Sequence, residues 1–232
     1  MAMLPSFWVV IPAAGVGSRM RADRPKQYLP LAGKTIIEHT LERFLGHPGL
    51  RGLVVSLAPE DPYWPELCCA NDSRIHRADG GAERADSVLA GLLRLSELGA
   101  LGEDWVLVHD AARPNLSRHD LENLLVQLAD DSVGGLLAVP ARDTLKRADP
   151  EGRVQETVDR SVIWQAFTPQ MFRLKALRDA LAGALEAGAA ITDEASALEW
   201  AGQSPKLIEG RADNLKVTRP EDLQWLEQRW PV

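Results

Sequence analysis

The chain has 232 residues, 45% hydrophobic and 25% charged, which supplies enough apolar material for one large domain or two small ones. Its formal net charge of −7 argues against nucleic acid or an anionic membrane as the main partner, because both need a concentrated basic face. A small anion stays open, since salt confines exposed charges to about 8 Å and a few cations in one cleft can oppose the global balance.

The first residues lack the basic region of a secretory leader and their apolar core is broken by Pro12, while no run reaches the ~18 apolar residues of a membrane span. The only cysteines, Cys68 and Cys69, are adjacent, so they form neither a disulfide framework nor a spaced metal set, and a reducing cytoplasm is the expected location. From the front, FWVVIP reads as a short strand, and TIIEHTLERFLG as a helix with Ile37, Leu41, Phe44 and Leu45 on one face and Gly46 as its stop. RGLVVSLA is a second buried strand and SRIHRA a weaker one. ERADSVLAGLLRLSELG follows as a helix with Val88, Leu89, Leu92 and Leu93 inward. DWVLVHD, apolar throughout and flanked by acids, suits a parallel strand covered on both faces. Ser117 and Asp120 open the next helix, SRHDLENLLVQLAD.

Between Gly134 and Gln170 no helical stripe is present, and DPEG between TLKRA and RVQETV reads as a hairpin turn. An isolated two-stranded hairpin is marginal in water, so packing against a second subunit is expected. Helices return at LKALRDALAGALEAG and TDEASALEWAG, followed by a strand, PKLIEG, and a last helix, PEDLQWLEQRW. The whole predicts a single α/β domain over residues 1–232: a Rossmann-like three-layer sandwich with a mostly parallel mixed sheet and a projecting β-hairpin arm at about 140–165. Ligands on such sheets collect at the carboxyl ends of the strands, in the loops that follow them.

The first such loop is PAAGVGSRM. Small residues there let backbone N–H groups approach an anion, and Arg19 adds a guanidinium suited to phosphate. A dinucleotide fingerprint would need glycine where Met20 stands, and the Gly-Lys-Ser/Thr of a P-loop is missing. Lys26, held behind Pro25 with its fixed φ, supplies a second cation that can bracket a polyphosphate. Arg21, Arg24 and Lys34 read as solvated surface. His39, His47, His76 and His119 have no metal-ligand spacing, His109 can orient the loop it opens, and the tryptophans read as core and interface bulk.

At this point the sequence resembles a known family. AAGVGSRM with PKQYL is similar to nucleotidyltransferases that join a nucleotide monophosphate to a sugar or polyol phosphate. GGAERADSVLAGL, VLVHDAARP, RDTLKR, TVDR, TPQMF, TDEASALE and EGRADNLKVTRPEDL narrow the resemblance to the methylerythritol phosphate cytidylyltransferases over essentially the whole chain. The resemblance implies CTP and 2-C-methyl-D-erythritol 4-phosphate as substrates, pyrophosphate as product, Mg²⁺ as the divalent cation, and a homodimer whose arms complete each other's sites. Arg19, Lys26, Arg160 and Lys216 match the family's catalytic cations. Pro12, Ala13, Ala14, Gly15, Gly17, Ser18, Gly80, Gly81, Ala82, Ser87 and Ala111 correspond to its nucleotide-binding positions. Ala82 stands where some relatives carry an acid, which leaves base recognition there to main-chain groups. Thr144, Arg160, Arg113, Thr168 and Lys216 match the acceptor-binding set, and Asp110 and Asp213 the metal positions. On the residues alone, Asp110 also reads as a turn cap, Ser87 as a helix-cap serine and Arg113 as half of a structural ion pair. A ribitol 5-phosphate cytidylyltransferase, a nicotinamide-dependent oxidoreductase and a nucleotide-binding regulator without turnover remain as alternatives.

Overall fold

Alternate residues of the first strand, β1 (Phe7–Pro12), enter different cores. Phe7, Val9 and Ile11 join one cluster with Ile37, Leu41 and Phe44 of α1 (Ile36–Leu45) and Leu121, Leu124 and Leu128 of α3 (Arg118–Leu128). Trp8 and Val10 join the other, with Val88 and Leu92 of α2 (Arg84–Glu97), Leu177 and Leu181 of α4 (Leu174–Glu186) and Leu198 of α5 (Glu194–Trp200). A strand with period-two side chains and both faces buried must be apolar throughout, and the FWVVIP run meets that requirement. The computed structural model describes residues 4–15, 20 and 22–230.

The remaining strands are β2 (Pro30–Leu31), β3 (Lys34–Thr35), β4 (Leu50–Leu57), β5 (Ile75–Asp79), β6 (Trp105–Val108), β7 (Gly134–Pro140), β8 (Leu145–Ala148), β9 (Val154–Val158), β10 (Trp164–Arg173) and β11 (Lys206–Glu209). Seven of them form one sheet in the order β11-β7-β10-β6-β1-β4-β5. Every neighbouring pair is parallel except those of β10, which runs antiparallel to both β6 and β7. The sheet is therefore mixed and mostly parallel, with helices on both faces. From β1 the chain goes out to β4 and β5 on one side and returns to β6 on the other, so the loops after β1 and β6 flank the crevice where such sheets bind ligands. A third, smaller cluster forms under α6 (Pro220–Arg229), where Leu226 packs with Met20, Leu31, Ile36, Ala112 and Val217. It ties the end of the chain to the loop after β6.

Strands β8 and β9 pair only with each other, from Leu145↔Val158 outward, and turn at Gly152, whose φ of +78° suits a residue without a side chain. This is the hairpin expected from DPEG. Its root is continuous with the sheet, since Ala141 N–H donates to the Ile163 carbonyl at 2.9 Å and Trp164 pairs with Pro140. Val154 and Val162 lie 64% and 75% exposed on and beside it. Among the described residues no helix is long and apolar enough to cross a membrane.

One core assignment changes. Leu93 was expected inward beside Leu92, but it is 49% exposed. The buried stripe of α2 runs through Val88, Leu92 and Leu95 at helical spacing, which carries Leu93 about a quarter-turn round the helix toward solvent. The neighbours should thus respond differently to truncation: Leu92→Ala is expected to cost about 2–5 kcal/mol of stability and Leu93→Ala about 0.5 kcal/mol or less, read from guanidinium unfolding midpoints.

Candidate active site

The loop after β1 is held from beneath by Gln27. This side chain is almost wholly buried, and its Nε2 donates to the carbonyls of Ala13 at 2.7 Å and Gly15 at 3.2 Å. Pro25 opens the short 3-10 turn Lys26–Tyr28 on which Gln27 sits, and Tyr28 roots that turn by donating its hydroxyl to Asp61 at 2.9 Å. Burial, with the Asp61 bond, pushes the Tyr28 phenol far above its ordinary range, so it stays a donor. Asp61 in turn caps the backbone N–H groups of Tyr63 and Trp64. Lys26 is therefore carried on a rigid turn, with its Nζ donating to the Val217 carbonyl at 2.9 Å. Gly17, Ser18 and Arg19 lie outside the described residues.

Across the cleft, the turn from Gly80 to Glu83 is shaped by Ser87. Its hydroxyl accepts from Gly81 N–H and donates to the Glu83 carbonyl, both at 3.2 Å. A Cβ on Gly80 would stand 2.5 Å from the Ala14 methyl and 2.9 Å from the Ser87 hydroxyl, so only glycine lets this turn approach the loop after β1 so closely.

Asp110, at the end of VLVHD, is the electrostatic centre. It is 6% exposed and accepts from three cations: Arg84 Nε on Oδ1 at 3.1 Å, Arg113 Nε on Oδ2 at 3.3 Å and Lys216 Nζ on Oδ2 at 2.9 Å. Burial alone would raise its pKa, but the attraction of Arg84, Lys216 and Arg113 outweighs it and holds the carboxyl well below the ordinary carboxylate range. Arg113 also donates to the Asn214 carbonyl at 2.7 Å and lies over the Phe167 ring, and Asn214 Nδ2 donates to the Thr168 carbonyl at 2.8 Å. Next to Asp110, the buried His109 imidazole is lowered to about 4, chiefly by burial, and is neutral near pH 7. The Arg113 carbonyl can only accept, so Nε2 of His109 carries the proton and donates there at 3.0 Å. Nδ1 then accepts from the Thr168 hydroxyl at 3.0 Å, and Thr168 Oγ1 accepts from Asp110 N–H at 3.1 Å. This chain of bonds orients the Asp110 loop, a role in line with the one expected of His109.

These residues line two adjoining clefts of about 280 Å³ each. Pro12, Ala13, Ala14, Gly15, Lys26, Gly81, Ala82, Ser87 and Ala111 line the first, with Gly80 directly behind it against Ala14 and Ser87. Arg113 and Thr168 line the second. Arg84, Asp110 and Lys216 line both. The described members of the nucleotide set, and Arg113, Thr168 and Lys216 of the acceptor set, thus converge. Thr144 and Arg160 do not: both are exposed on the arm, and Arg160 donates to the Arg142 carbonyl. Asp213 does not either. Its carboxylate is paired with Arg211, whose Nε donates at 2.9 Å, and it borders a separate cavity beside Trp225 and Trp230. In this structure the Asp213 carboxylate faces Arg211, and the carbonyl of its neighbour Asn214 accepts from the Arg113 that pairs with Asp110.

Among the described residues, Glu83 and Asp110 bring carboxylates to the first cleft, and Asp110 Oδ1, with one neighbouring donor, keeps a lone pair for a hard divalent cation. Among the described residues no group of three or more His, Cys, Asp or Glu side chains is placed to hold a metal. That fits Mg²⁺, which needs only one or two carboxylates when phosphate oxygens and water complete its shell. Arg84, Glu194 and Gln27 were not singled out from sequence, although each stands inside a quoted motif: GGAERADS, TDEASALE and PKQYL.

A family model described as 2-C-methyl-D-erythritol 4-phosphate cytidylyltransferase matches residues 7–228. A protein of that name from Pseudomonas fluorescens is 74% identical over 98% of this chain and 97% of its own length, and one from Pseudomonas aeruginosa is 73% identical with the same coverage. Among solved structures, a 4-diphosphocytidyl-2C-methyl-D-erythritol synthase superposes with a TM-score of 0.83 at 40% identity, covering 97% of this chain and 98% of the other. A 2-C-methyl-D-erythritol 4-phosphate cytidylyltransferase from Francisella tularensis superposes with a TM-score of 0.82 at 36% identity, covering 97% and 99%.

The Gln27 bonds generate a test. Gln27→Leu keeps the volume and leaves the Ala13 and Gly15 carbonyls without their buried donor, so stability should fall by about 1–3 kcal/mol in a denaturant titration. Hydrogen exchange should locate the added mobility in the loop after β1.

Proposed function

The chain belongs to the 2-C-methyl-D-erythritol 4-phosphate cytidylyltransferase family, and we propose how its own residues perform the reaction. The enzyme transfers a cytidylyl group from CTP to 2-C-methyl-D-erythritol 4-phosphate in the non-mevalonate route to isoprenoids. A phosphate oxygen of the acceptor forms a bond to the α-phosphorus of CTP, the bond from that phosphorus to the β-phosphate oxygen breaks, and pyrophosphate leaves with its electron pair. No protein nucleophile takes part. The task of the site is to bring two anions together in line and to neutralise charge as it builds.

The observation that carries this reading is the sharing of Arg84, Asp110 and Lys216 between two clefts, one walled by the small-residue loop and Lys26, the other by Arg113 and Thr168. CTP occupies the first, its base against the turn from Gly80 to Ala82 and Ser87 and its phosphates against the loop after β1. The acceptor occupies the second, with its phosphate toward Lys216 and Arg113. Lys26 stabilises the triphosphate on one side. Arg19 is assigned the matching role on the other side from its sequence motif. Asp110 would hold Mg²⁺, which would offset the triphosphate charge.

Thr144 and Arg160 enter the reading through a dimer. Both are exposed on or beside an arm whose two strands pair only with each other, and the exposed Val154 and Val162 give that arm an apolar surface to bury. We assign the arm to a homodimer interface in which Thr144 and Arg160 complete the acceptor cleft of the partner.

Pyrophosphate release with CTP, Mg²⁺ and methylerythritol phosphate tests the activity, with UTP and ATP as nucleotide controls and ribitol 5-phosphate as the alternative acceptor; turnover confined to the alternatives would overturn it. Lys26→Ala should lower kcat by about 10²- to 10³-fold, the loss expected when a preorganised stabiliser of transition-state charge is removed. Arg160→Ala should weaken acceptor use with CTP binding nearly unchanged. Mixing it with Lys26→Ala should restore activity through heterodimers that carry one intact site, and no recovery would remove the shared site.

A further inference from the structure

The TDEASALE motif has no task in the reaction as derived above, yet it delivers the best-buried carboxylate near the site. Glu194, at the start of α5, is 2% exposed, and both its oxygens accept from Arg84: Nη1 to Oε1 at 2.6 Å and Nη2 to Oε2 at 3.2 Å. The third nitrogen of the same guanidinium, Nε, faces Asp110 Oδ1 at 3.1 Å. Arg84 is thus a planar fork with its far edge fixed on Glu194 and its near edge on the carboxylate between the two clefts. A buried carboxylate must be paired, and Glu194 has Arg84 as its cation; Arg84, by contrast, has its side chain 30% exposed and borders both clefts. The helix holds itself in place independently. Asp193 caps it through Ser196 N–H at 2.9 Å, and Gln170 Oε1 accepts from Ala195 N–H at 2.7 Å.

We propose that Glu194 is a positioning residue that fixes Arg84 as an immobile cation at the boundary between nucleotide and acceptor clefts. Resting on the cytidylyl-transfer reading, this gives the acid an action that passes through Arg84. When phosphates enter, Asp110 can exchange its cations for new partners. A free guanidinium would follow whichever phosphate attracted it most and clamp the ground state. Held bidentately by Glu194, Arg84 stays between the two phosphates, where the transferring group gains charge in the transition state.

The test is a double-mutant cycle on the full-length protein with Glu194→Gln, Arg84→Lys and the pair. Glu194→Gln removes the charge at nearly constant volume and should lower kcat by about 10- to 100-fold, the usual loss when an orienting partner is removed, with the KM for CTP changed far less. Arg84→Lys keeps the charge but cannot span both carboxylates, and should be impaired similarly. The double variant should be no worse than Arg84→Lys alone. Glu194→Asp should recover part of the rate. Fully multiplicative losses in the double variant would show that Glu194 acts independently of Arg84 and overturn the proposal. So would wild-type kcat in Glu194→Gln accompanied only by a lower melting temperature, which marks a merely structural pair. Wild-type turnover is measured beside them: its absence would sink the cytidylyl-transfer reading itself, whereas its presence with an unaffected Glu194→Gln would sink only this inference.

Discussion

A buried carboxylate among three cations organises the site. Asp110 would be costly to keep charged at 6% exposure without compensation, and Arg84, Arg113 and Lys216 would repel one another without it. The mutual requirement joins three remote segments. Arg84 begins α2, Arg113 lies in the loop after β6, and Lys216 stands in the stretch between β11 and α6. The loop after β6 and the stretch before α6 are also joined by the bond from Val217 N–H to the Ala112 carbonyl at 2.8 Å, and the charge set adds Arg84 of α2 to that pair. It also accounts for how a chain of formal charge −7 can receive a nucleoside triphosphate and a phosphorylated acceptor: the two clefts gather Lys26, Arg84, Arg113 and Lys216.

Beneath the charges lies a rigid neutral frame. Tyr28, Gln27, Ser87, His109 and Thr168 are all almost wholly buried; Tyr28 bonds the Asp61 carboxylate, and the other four bond loop backbone or one another. Such groups contribute little net stability individually, but leaving any one unpaired is expensive, so the frame specifies a single arrangement of the loops. Preorganisation of that kind is what lets fixed cations act on a transition state without first having to move.

The fold was largely legible because its signals are local. FWVVIP, and WVLV within DWVLVHD, are apolar at every position as doubly covered strands must be, and DPEG places a turn wherever the surrounding chain goes. Leu93 was misplaced because a four-residue apolar cluster in α2 leaves two stripes open, and only the packing of α4 and α5 chooses between them. The small-residue loop with Lys26, and Asp110 at a strand end, were readable from residue chemistry. The pairing of Asp213 with Arg211 was not, because nothing in GRADN says which neighbour its carboxylate will face. Arg84 and Glu194 escaped for a related reason: they are 110 residues apart, each looks like an ordinary helix-start residue, and only the sheet order brings them together.

Strand β10 runs from Trp164, at the root of the arm, past Thr168 and on to Arg173 beside β6, with its pairing to β7 shifting between Ala166 and Gln170. One piece of backbone therefore acts as a ruler between the projecting hairpin and the hydroxyl that sets the Asp110 loop. Because side chains alternate along a strand, lengthening this ruler by one residue would turn every following side chain to the opposite face. The hairpin can therefore change at its tip, around Gly152, without reaching Thr168, whereas an insertion between Trp164 and Thr168 would act on the Asp110 loop directly.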